Sequence, residues 1–155
     1  MSEEDILDSL INVPILSDLS GEDLKKVAPY WHFLELPSKE ILFEEGDPAD
    51  ALYYVLSGKL VIYKNHEEAI PVELARVSEK QFFGEQAVLE DSVRSGTLQA
   101  IVDTRLLVLT KDGFYEILEK HPRVGVVLLK GLARYLSLQL RRTTGQFVAL
   151  QNGCA

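Results

Sequence analysis

The sequence ILFEEGDPADALYYVLSGKLVIY, residues 41–63, decides the fold. Its short apolar runs, 41–43, 52–56 and 60–63, are separated by Gly, Pro, Asp and Ser, the residues that favour turns. Ser57-Gly58 lies between the second and third runs and predicts a tight hairpin, with Gly58 free to take a positive φ.

The same pattern extends on both sides of this stretch, from Phe33 to about Leu109. Further apolar runs occur at 33–36, 70–77, 98–102 and 106–109, and turn residues separate them. Short strands at roughly ten-residue spacing, broken by Gly and Asp, are typical of an antiparallel sandwich or barrel. The sequence therefore predicts a β core over about residues 33–110.

Helical patterns flank this core. Residues 3–11 and 20–32 read as short helices, the second of them capped by Ser20. After Thr110 a short helix is expected, and Pro122 ends it. A long helix is expected over 123–143, with Gly145 ending it and residues 145–155 forming a tail. The N-terminal helices (3–32), the core and the C-terminal helices (112–144) form one predicted domain, residues 1–144.

The long predicted helix carries an apolar stripe, which we expect to pack against the β core. Its residues are Val126, Leu129, Leu132, Ala133, Leu136 and Leu140. Val127, Leu128 and Leu138 lie off this stripe and favour contact with a second helix. We therefore expect a homodimer through helix 123–143, with a monomer as the alternative.

Composition narrows the class of protein. The chain has 155 residues, 46% of them hydrophobic, and a formal net charge of -8, which fits one globular domain rather than a disordered chain. Residues 1–50 hold 13 acidic and 3 basic side chains, whereas residues 121–155 hold 5 basic and no acidic ones. An acidic body disfavours nucleic-acid binding. Because no apolar stretch is long enough for a membrane span and the N-terminus is acidic, we expect a cytoplasmic protein without membrane contact.

One segment within the β region does not resemble a strand. Residues 82–97 read FFGEQAVLEDSVRSGT, in which 85–89 can form about one helical turn after Gly84. Glycine lets a ligand approach the backbone closely, and Arg94 with Ser95 offers hydrogen-bond donors to phosphate oxygens. Glu85 is an acceptor suited to sugar hydroxyls. The alternative is a surface loop in which Arg94 pairs with Glu90 or Asp91.

The order Gly84-Glu85-Gln86-Ala87, six residues, then Arg94-Ser95-Gly96-Thr97 resembles the phosphate-binding cassette of the cyclic nucleotide-binding domain family. The resemblance covers about residues 10–144 and includes the strand and turn motifs at 41–60. It implies an antiparallel β-roll or jelly-roll (a double-stranded β-helix). N-terminal helices, a short phosphate-binding helix and a long C-terminal helix would complete the fold, as in the catabolite activator protein and the regulatory subunit of protein kinase A.

The resemblance also implies a ligand and its contacts. Gly84 and Glu85 would hold the ribose 2′-hydroxyl, whereas Arg94 and Ser95 would bind the cyclic phosphate with help from the backbone N–H groups of 86–87. The remaining implied contacts, to the base and sugar, are Leu74, Val77, Gln139 and Arg142. Serine directly after the arginine matches the pattern of cAMP-responsive relatives, so cAMP is expected in preference to cGMP.

Three residues depart from the family pattern. Gln86 replaces an aliphatic residue, Val93 replaces a frequent proline, and Lys80 stands where a glycine is common, which predicts a turn of another shape. Some relatives keep the fold without binding nucleotide. A protein-interaction domain that binds no nucleotide is therefore the alternative function.

Metal and catalytic sites are not expected. His32, His66 and His121 are scattered, which disfavours a cupin-type metal site, and haem binding through His66 or His121 has little support. A single cysteine, Cys154, excludes an internal disulfide and is read as an exposed thiol. With no catalytic set of residues, we expect a regulatory module without cofactor or enzymatic activity.

The sequence also limits how such a module could pass on a ligand-binding signal. Only about a dozen residues follow the predicted long helix, too few for a helix-turn-helix motif within this sequence. Our hypothesis is that ligand binding at 84–94 shifts a population of conformations, and that Val88 and Leu89 pass the shift to Phe114 and the long helix. The signal would pass to an unidentified effector protein or to a second copy.

Overall fold

The computed structural model describes residues 3–66 and 69–153. Within these ranges eight strands form two antiparallel sheets of four. The strands are β1 (Trp31–Leu36), β2 (Ile41–Phe43), β3 (Ala51–Ser57), β4 (Lys59–His66), β5 (Ala69–Ser78), β6 (Phe82–Phe83), β7 (Thr97–Ala100) and β8 (Thr104–Thr110). The first sheet has the order β1-β8-β3-β6 and the second β2-β7-β4-β5. With helices on either side in sequence, this confirms the predicted β-roll.

The first sheet is buried on both faces. Neighbouring residues of β3 belong to different apolar clusters, because side chains alternate across a strand. Leu52 and Tyr54 lie in the cluster that contains the helices, whereas Tyr53 and Val55 lie in the cluster between the sheets. This double burial explains why β3 reads as a nearly continuous apolar run.

The predicted hairpin at Ser57-Gly58 is wrong. β3 pairs with β6 and β8, whereas β4 pairs with β5 and β7, so the turn carries the chain from one sheet to the other. Gly58 does have the predicted positive φ, of 107°. A Cβ atom there would lie 2.7 Å from the Thr104 Cα, and this crowding leaves room only for glycine.

The N-terminal region is helical as predicted, but it ends earlier. It comprises α1 (Glu3–Leu10), a 3-10 turn at Pro14–Leu16, α2 (Gly21–Val27) and a second 3-10 turn at Ala28–Tyr30. Ser20 caps α2 by accepting a hydrogen bond from the Asp23 N–H at 3.2 Å. The strand starts at Trp31 rather than at 33, because Trp31 already pairs with Leu109 of β8.

Three helices complete the fold: α3 (Gln86–Leu89), α4 (Lys111–Lys120) and α5 (Pro122–Gly153). The expected end of the last helix at Gly145 is wrong. Gly145 does not have the positive φ of a helix-ending glycine, and the helix continues to Gly153 through the segment predicted to be a tail. None of the helices in the described ranges has the length and apolarity of a bilayer-spanning segment.

The face of α5 that packs against the body differs from the predicted stripe. Leu128 is only 1% exposed, whereas Val126 is 63% exposed. The reason lies at Gly131, where a Cβ atom would come within 2.8 Å of the Ile15 Cα. Close approach of the helix backbone to the first 3-10 turn rotates Leu128 and Leu132 inwards. Of the predicted stripe only Leu132 is buried, whereas Val126, Leu129 and Leu140 are exposed.

Candidate functional site

A cavity of about 330 Å³ lies between β5, β6, the segment 84–96 and helix α5. This volume is within the range of small-molecule binding sites. Seven of the predicted site residues line it: Val77, Gly84, Glu85, Gln86, Arg94, Ser95 and Gln139. The structure therefore brings Gln139 of α5 next to β5 and the segment 84–96, which lie far earlier in the chain.

The backbone of Arg94 is fixed by the turn that follows β2. Its N–H donates to the Asp47 carbonyl at 2.8 Å, and its carbonyl accepts from the Gly46 N–H at 2.9 Å. The Ala49 N–H also donates to the Ser92 carbonyl at 3.0 Å. Because both backbone groups of Arg94 are hydrogen-bonded, its side chain projects from a defined position.

The guanidinium of Arg94 is 5% exposed and incompletely paired. One Nη donates to the Ala51 carbonyl at 3.1 Å and lies 3.4 Å from Asp50, whose side chain is 80% exposed. Its Nε is buried and has no hydrogen-bond partner within the described residues. A buried cation with an unpaired donor in a cavity wall is suited to an anionic ligand.

Aromatic rings form the surface on which this guanidinium rests. The Cζ of Arg94 lies 4.2 Å from the centroid of the Phe43 ring and 5.6 Å from that of Tyr53. Tyr53 in turn stacks on Phe83 at 4.8 Å. Burial raises the pKa of the Tyr53 phenol, while the Arg94 charge acts in the opposite direction. The rings stabilise the cation by cation–π contact without neutralising it.

Gly84 lies directly against the same guanidinium. Its φ is 75°, and a Cβ atom there would come within 2.8 Å of both the Ala51 carbonyl oxygen and an Arg94 Nη. Glycine is therefore required for the backbone to pass beside Arg94. The group that lies close to the Gly84 backbone is a side chain of the protein itself, and the approach of a ligand at this position stays a prediction.

Glu85 and Gln86 follow at the start of α3. Glu85 is half-buried, and no side-chain cap bond ties it to the helix. The carboxylate is therefore available to a ligand in the cavity, and Gln86 lies exposed beside it.

Three predicted site residues do not line the cavity. Ala87 is completely buried, and its N–H donates to the Gly84 carbonyl at 3.0 Å, so it completes the turn instead. Leu74 is half-exposed and lies beside Gly96. Arg142 lies on α5 about one turn beyond Gln139 and does not line the cavity, although its charge acts on the phenol of a residue that does, Tyr135.

Tyr135 is a cavity residue that the sequence reasoning missed. Its hydroxyl accepts from the Phe82 N–H at 3.0 Å and donates to the Phe82 carbonyl at 3.1 Å. Burial raises the pKa of this phenol, so it remains a donor at neutral pH. Tyr135 and Gln139 are four residues apart, so both lie on one face of the helix. This spacing could have identified Tyr135 from the sequence.

Phe43 and Asp50 were also missed as partners of Arg94. Both lie in the quoted stretch 41–63, but their contact with Arg94 depends on the pairing of the turn after β2 with residues 92–94. Sequence spacing alone gives no indication of this pairing.

The histidines do not form a metal site in the described part of the chain. No group of three or more His, Cys, Asp or Glu side chains is placed to hold an ion there. His32 is exposed on β1, and the His121 ring packs against Tyr30 with centroids 6.5 Å apart. The side chain of His66 and the whole of Cys154 lie outside the described residues.

The turn before the site keeps the shape that a glycine would give it. Lys80 has a φ of 65°, the left-handed region that glycine adopts readily. The expectation of another turn shape is wrong, because the Lys80 N–H donates to the Val55 carbonyl at 2.9 Å and fixes this conformation.

We expect Lys80→Gly to stabilise the protein by about 0.5–1 kcal/mol, because relief of left-handed strain exceeds the added chain entropy. Urea unfolding measures the change. Glu79 lies in the same turn but does not have a positive φ. The matched control Glu79→Gly should therefore destabilise the protein. Equal effects of the two variants would show that Lys80 carries no strain.

A family model described as the cyclic nucleotide-binding domain matches residues 33–121 of this chain. The chain is 30% identical over 123 residues to the cyclic AMP receptor protein of Thermus thermophilus, covering 79% of this chain and 57% of that protein. It is 34% identical over 109 residues to the cAMP-dependent protein kinase regulatory subunit of Aspergillus niger, covering 70% of this chain and 26% of that protein.

Comparison with solved structures also finds a cyclic nucleotide-binding domain. A cyclic nucleotide-binding domain from Methylobacillus flagellatus superposes with a TM-score of 0.80 at 25% identity, covering 95% of this chain and 83% of that one. The cavity segment 84–96 lies within the range of the family match.

Proposed function

This chain belongs to the cyclic nucleotide-binding domain family, and on that premise we propose that its cavity binds a cyclic nucleotide, with cAMP preferred to cGMP. One observation carries the proposal: the buried guanidinium of Arg94 has an unpaired Nε in the wall of a ligand-sized cavity. An anion bound beside this guanidinium would give the buried charge a second partner besides the largely exposed carboxylate of Asp50.

In this proposal Arg94 binds the cyclic phosphate. The planar guanidinium can donate two parallel hydrogen bonds to phosphate oxygens, while Ala51 and Phe43 hold it in place. Ser95, exposed next to it, supplies a hydroxyl donor. A carboxylate beside a cyclic phosphate would repel it, so Glu85 is assigned to the ribose 2′-hydroxyl instead.

The base would lie between β5 and α5. Val77 supplies an apolar wall, and Gln139 supplies an amide that can donate and accept hydrogen bonds. The preference for cAMP rests on Ser95 after Arg94, by resemblance to cAMP-responsive relatives. Leu74 and Arg142, outside the cavity lining, are assigned no contact.

Calorimetric titration of the folded, nucleotide-free chain with cAMP, cGMP and 5′-AMP tests the proposal. We expect saturable binding that is tightest for cAMP and at least about tenfold weaker for 5′-AMP, whose dianionic phosphate lacks the ring geometry. Absence of heat with both cyclic nucleotides would refute the proposal and favour a protein-interaction domain.

We propose further that the domain is regulatory and relays binding through α5 to an effector. Tyr135 supports this role because its two hydrogen bonds join α5 to Phe82, two residues before Gly84. Val88 of α3 shares an apolar cluster with Phe114 of α4, as the expected relay requires. Leu89 is 42% exposed and belongs to neither apolar cluster, so we assign its place in the relay to the Tyr135 contact.

Tyr135→Phe is expected to weaken this coupling. Loss of the two hydrogen bonds should speed amide exchange in α5 by up to about tenfold and reduce the protection that cAMP adds. Hydrogen exchange read by mass spectrometry, with and without cAMP, measures both effects. Tyr115→Phe on the exposed side of α4 is the matched control. If cAMP protects α5 equally in both variants, Tyr135 is not part of the relay.

A further inference from the structure

The turn at residues 78–81, which joins β5 to β6, is fixed by reciprocal hydrogen bonds. Within the turn, the Gln81 N–H donates to the Ser78 carbonyl at 3.3 Å, and the Ser78 N–H donates to the side-chain Oε1 of Gln81 at 2.7 Å. Toward β3, the Gln81 carbonyl accepts from the Val55 N–H at 3.0 Å. The backbone of Gln81 and its side-chain oxygen are therefore both held, so the amide has one orientation.

These contacts decide which end of the Gln81 amide is free. A backbone N–H can only donate, so the atom that faces Ser78 must be the amide oxygen. The nitrogen, Nε2, carries two hydrogens, and none of the described residues accepts a hydrogen bond from it. Since Gln81 is half-buried and lines the cavity, its Nε2 is a donor that a ligand there can use.

Gln81 lies on the side of the cavity that α5 covers. The next residue, Phe82, is hydrogen-bonded through both of its backbone groups to the Tyr135 hydroxyl of α5. Strand β6 separates Gln81 from Gly84, which lies against Arg94, by roughly 10 Å along the chain at 3.3 Å per residue. At this separation, the donor of Gln81 is placed for the base of a nucleotide rather than for a phosphate bound by Arg94.

Gln139 of α5 supplies the opposite kind of group. Its side chain hydrogen-bonds to Tyr135 and lowers the pKa of that phenol, against the effect of burial. A hydrogen bond lowers the pKa of a phenol when it is donated to the oxygen, so the amide nitrogen of Gln139 faces Tyr135. The Oε1 of Gln139 is then left as an acceptor in the cavity lining. This side of the cavity thus offers a fixed donor and an acceptor.

A donor beside an acceptor matches one edge of adenine. On this edge adenine presents N7, which accepts a hydrogen bond, and the neighbouring N6 amino group, which donates one. Guanine presents two acceptors there, N7 and O6, so the oxygen of Gln139 would face a second acceptor. Two acceptors that face each other leave both unpaired, which disfavours guanine.

We propose that Gln81 is a base-binding and specificity-determining residue, which donates from Nε2 to adenine N7 and so holds the N6 amino group toward the Oε1 of Gln139. This inference rests on the proposed function, because it takes cAMP as the ligand of the same cavity. It gives the preference for cAMP a basis in the cavity, in addition to the resemblance at Ser95. The sequence reasoning assigned no role to Gln81, since the bond that orients its amide depends on the shape of the turn.

Calorimetric titration of the full chain, purified free of nucleotide, tests the contact without altering the protein. In 7-deaza-cAMP a C–H group replaces N7, so this ligand cannot accept a hydrogen bond from Gln81. We expect it to bind about three- to tenfold more weakly than cAMP, the range of one net hydrogen bond. In 1-deaza-cAMP the N1 atom is replaced instead, and this ligand should bind within about twofold of cAMP.

Gln81→Glu removes the donor and keeps the turn. A carboxylate can still accept from the Ser78 N–H, but it cannot donate to N7. We expect cAMP to bind this variant at least about tenfold more weakly, and the advantage of cAMP over 7-deaza-cAMP to disappear or reverse. The ratio of cAMP to cGMP affinity should also fall by at least about threefold, because the base is no longer held with N6 toward Gln139.

Gln146→Glu is the matched control. It adds the same negative charge at an exposed position of α5 that does not line the cavity. It should leave the cAMP affinity and the difference between the two ligands within about twofold of the wild type. Urea unfolding checks that both variants are folded.

The outcomes separate this inference from the proposed function. A wild type that binds cAMP and 7-deaza-cAMP equally would overturn the Gln81 contact and leave the proposed function in place. A loss with 1-deaza-cAMP instead would show that another edge of the base is bound, and it would overturn the contact as well. A wild type that binds no cyclic nucleotide refutes the proposed function itself. If Gln81→Glu keeps the full difference between cAMP and 7-deaza-cAMP, another group donates to N7 and the inference is wrong.

Discussion

Replacement of Arg94 by alanine is expected to weaken cAMP binding by at least about 100-fold. The guanidinium offers charge-assisted hydrogen bonds worth about 1.5–3 kcal/mol each, and two of them correspond to roughly two or more factors of ten in affinity. The effect should appear in calorimetric titration as the loss of saturable heat. It is the largest change expected from any single substitution at the cavity.

Arg94→Lys refines this test. Lysine keeps the positive charge but lacks the planar pair of donors, so we expect affinity to fall by about tenfold. Since lysine also retains part of the contact with the Phe43 ring, it should disturb the fold less than alanine. This variant keeps the prediction testable if Arg94→Ala is poorly folded.

Arg123→Ala is the control for the loss of one positive charge. Arg123 is exposed at the start of α5 and is absent from the lining of the cavity. It should leave cAMP affinity within about twofold of the wild type. Undiminished binding by folded Arg94→Ala would place the cyclic phosphate elsewhere and refute the assigned site.

The local features of the site could be predicted from the sequence. The segment between Gly84 and Arg94 does not have the pattern of a strand, and the expected helical turn appears as α3. Ser20 likewise caps α2 as its neighbouring sequence predicts. These features depend on residues close together in the chain, where backbone preferences and capping chemistry dominate.

Features that depend on packing between distant segments could not be predicted in the same way. The turn at Gly58 looks like a hairpin turn locally, and only the pairing of β3 and β4 with different strands makes it a connection between sheets. The orientation of α5 has a similar cause. Its apolar residues cover more than one face, and the backbone contact of Gly131 with Ile15 selects which face is buried.

In the candidate site, too, local features could be predicted from the sequence, whereas features that depend on distant segments could not. Arg94 was identified from its sequence context, but the partners of its Nη, Asp50 and Ala51, lie more than 40 residues earlier in the chain. Ala87 was assigned a backbone contact with ligand that its own turn already uses. Side-chain type thus indicated the chemistry of the cavity, whereas tertiary hydrogen bonds decided which groups remain available to a ligand.

Gly84→Ala is expected to destabilise the protein by about 2–4 kcal/mol and to weaken cAMP binding with it. Two physical effects combine: alanine is strained at a φ of 75°, and its Cβ would lie 2.8 Å from the Ala51 carbonyl oxygen and from an Arg94 Nη. The melting temperature should fall by roughly 5–15 °C. Because the guanidinium must move to admit the methyl group, its alignment with the cyclic phosphate is also lost.

Gly46→Ala separates these two effects. Gly46 also has a positive φ, of 90°, but nothing lies within 4 Å of a Cβ atom built there. This variant should carry the backbone strain alone, about 1–2 kcal/mol. The excess loss in Gly84→Ala then measures the crowding beside Arg94. Equal losses in thermal unfolding would show that the guanidinium yields freely, in which case Arg94 is not the fixed donor that the proposed phosphate site requires.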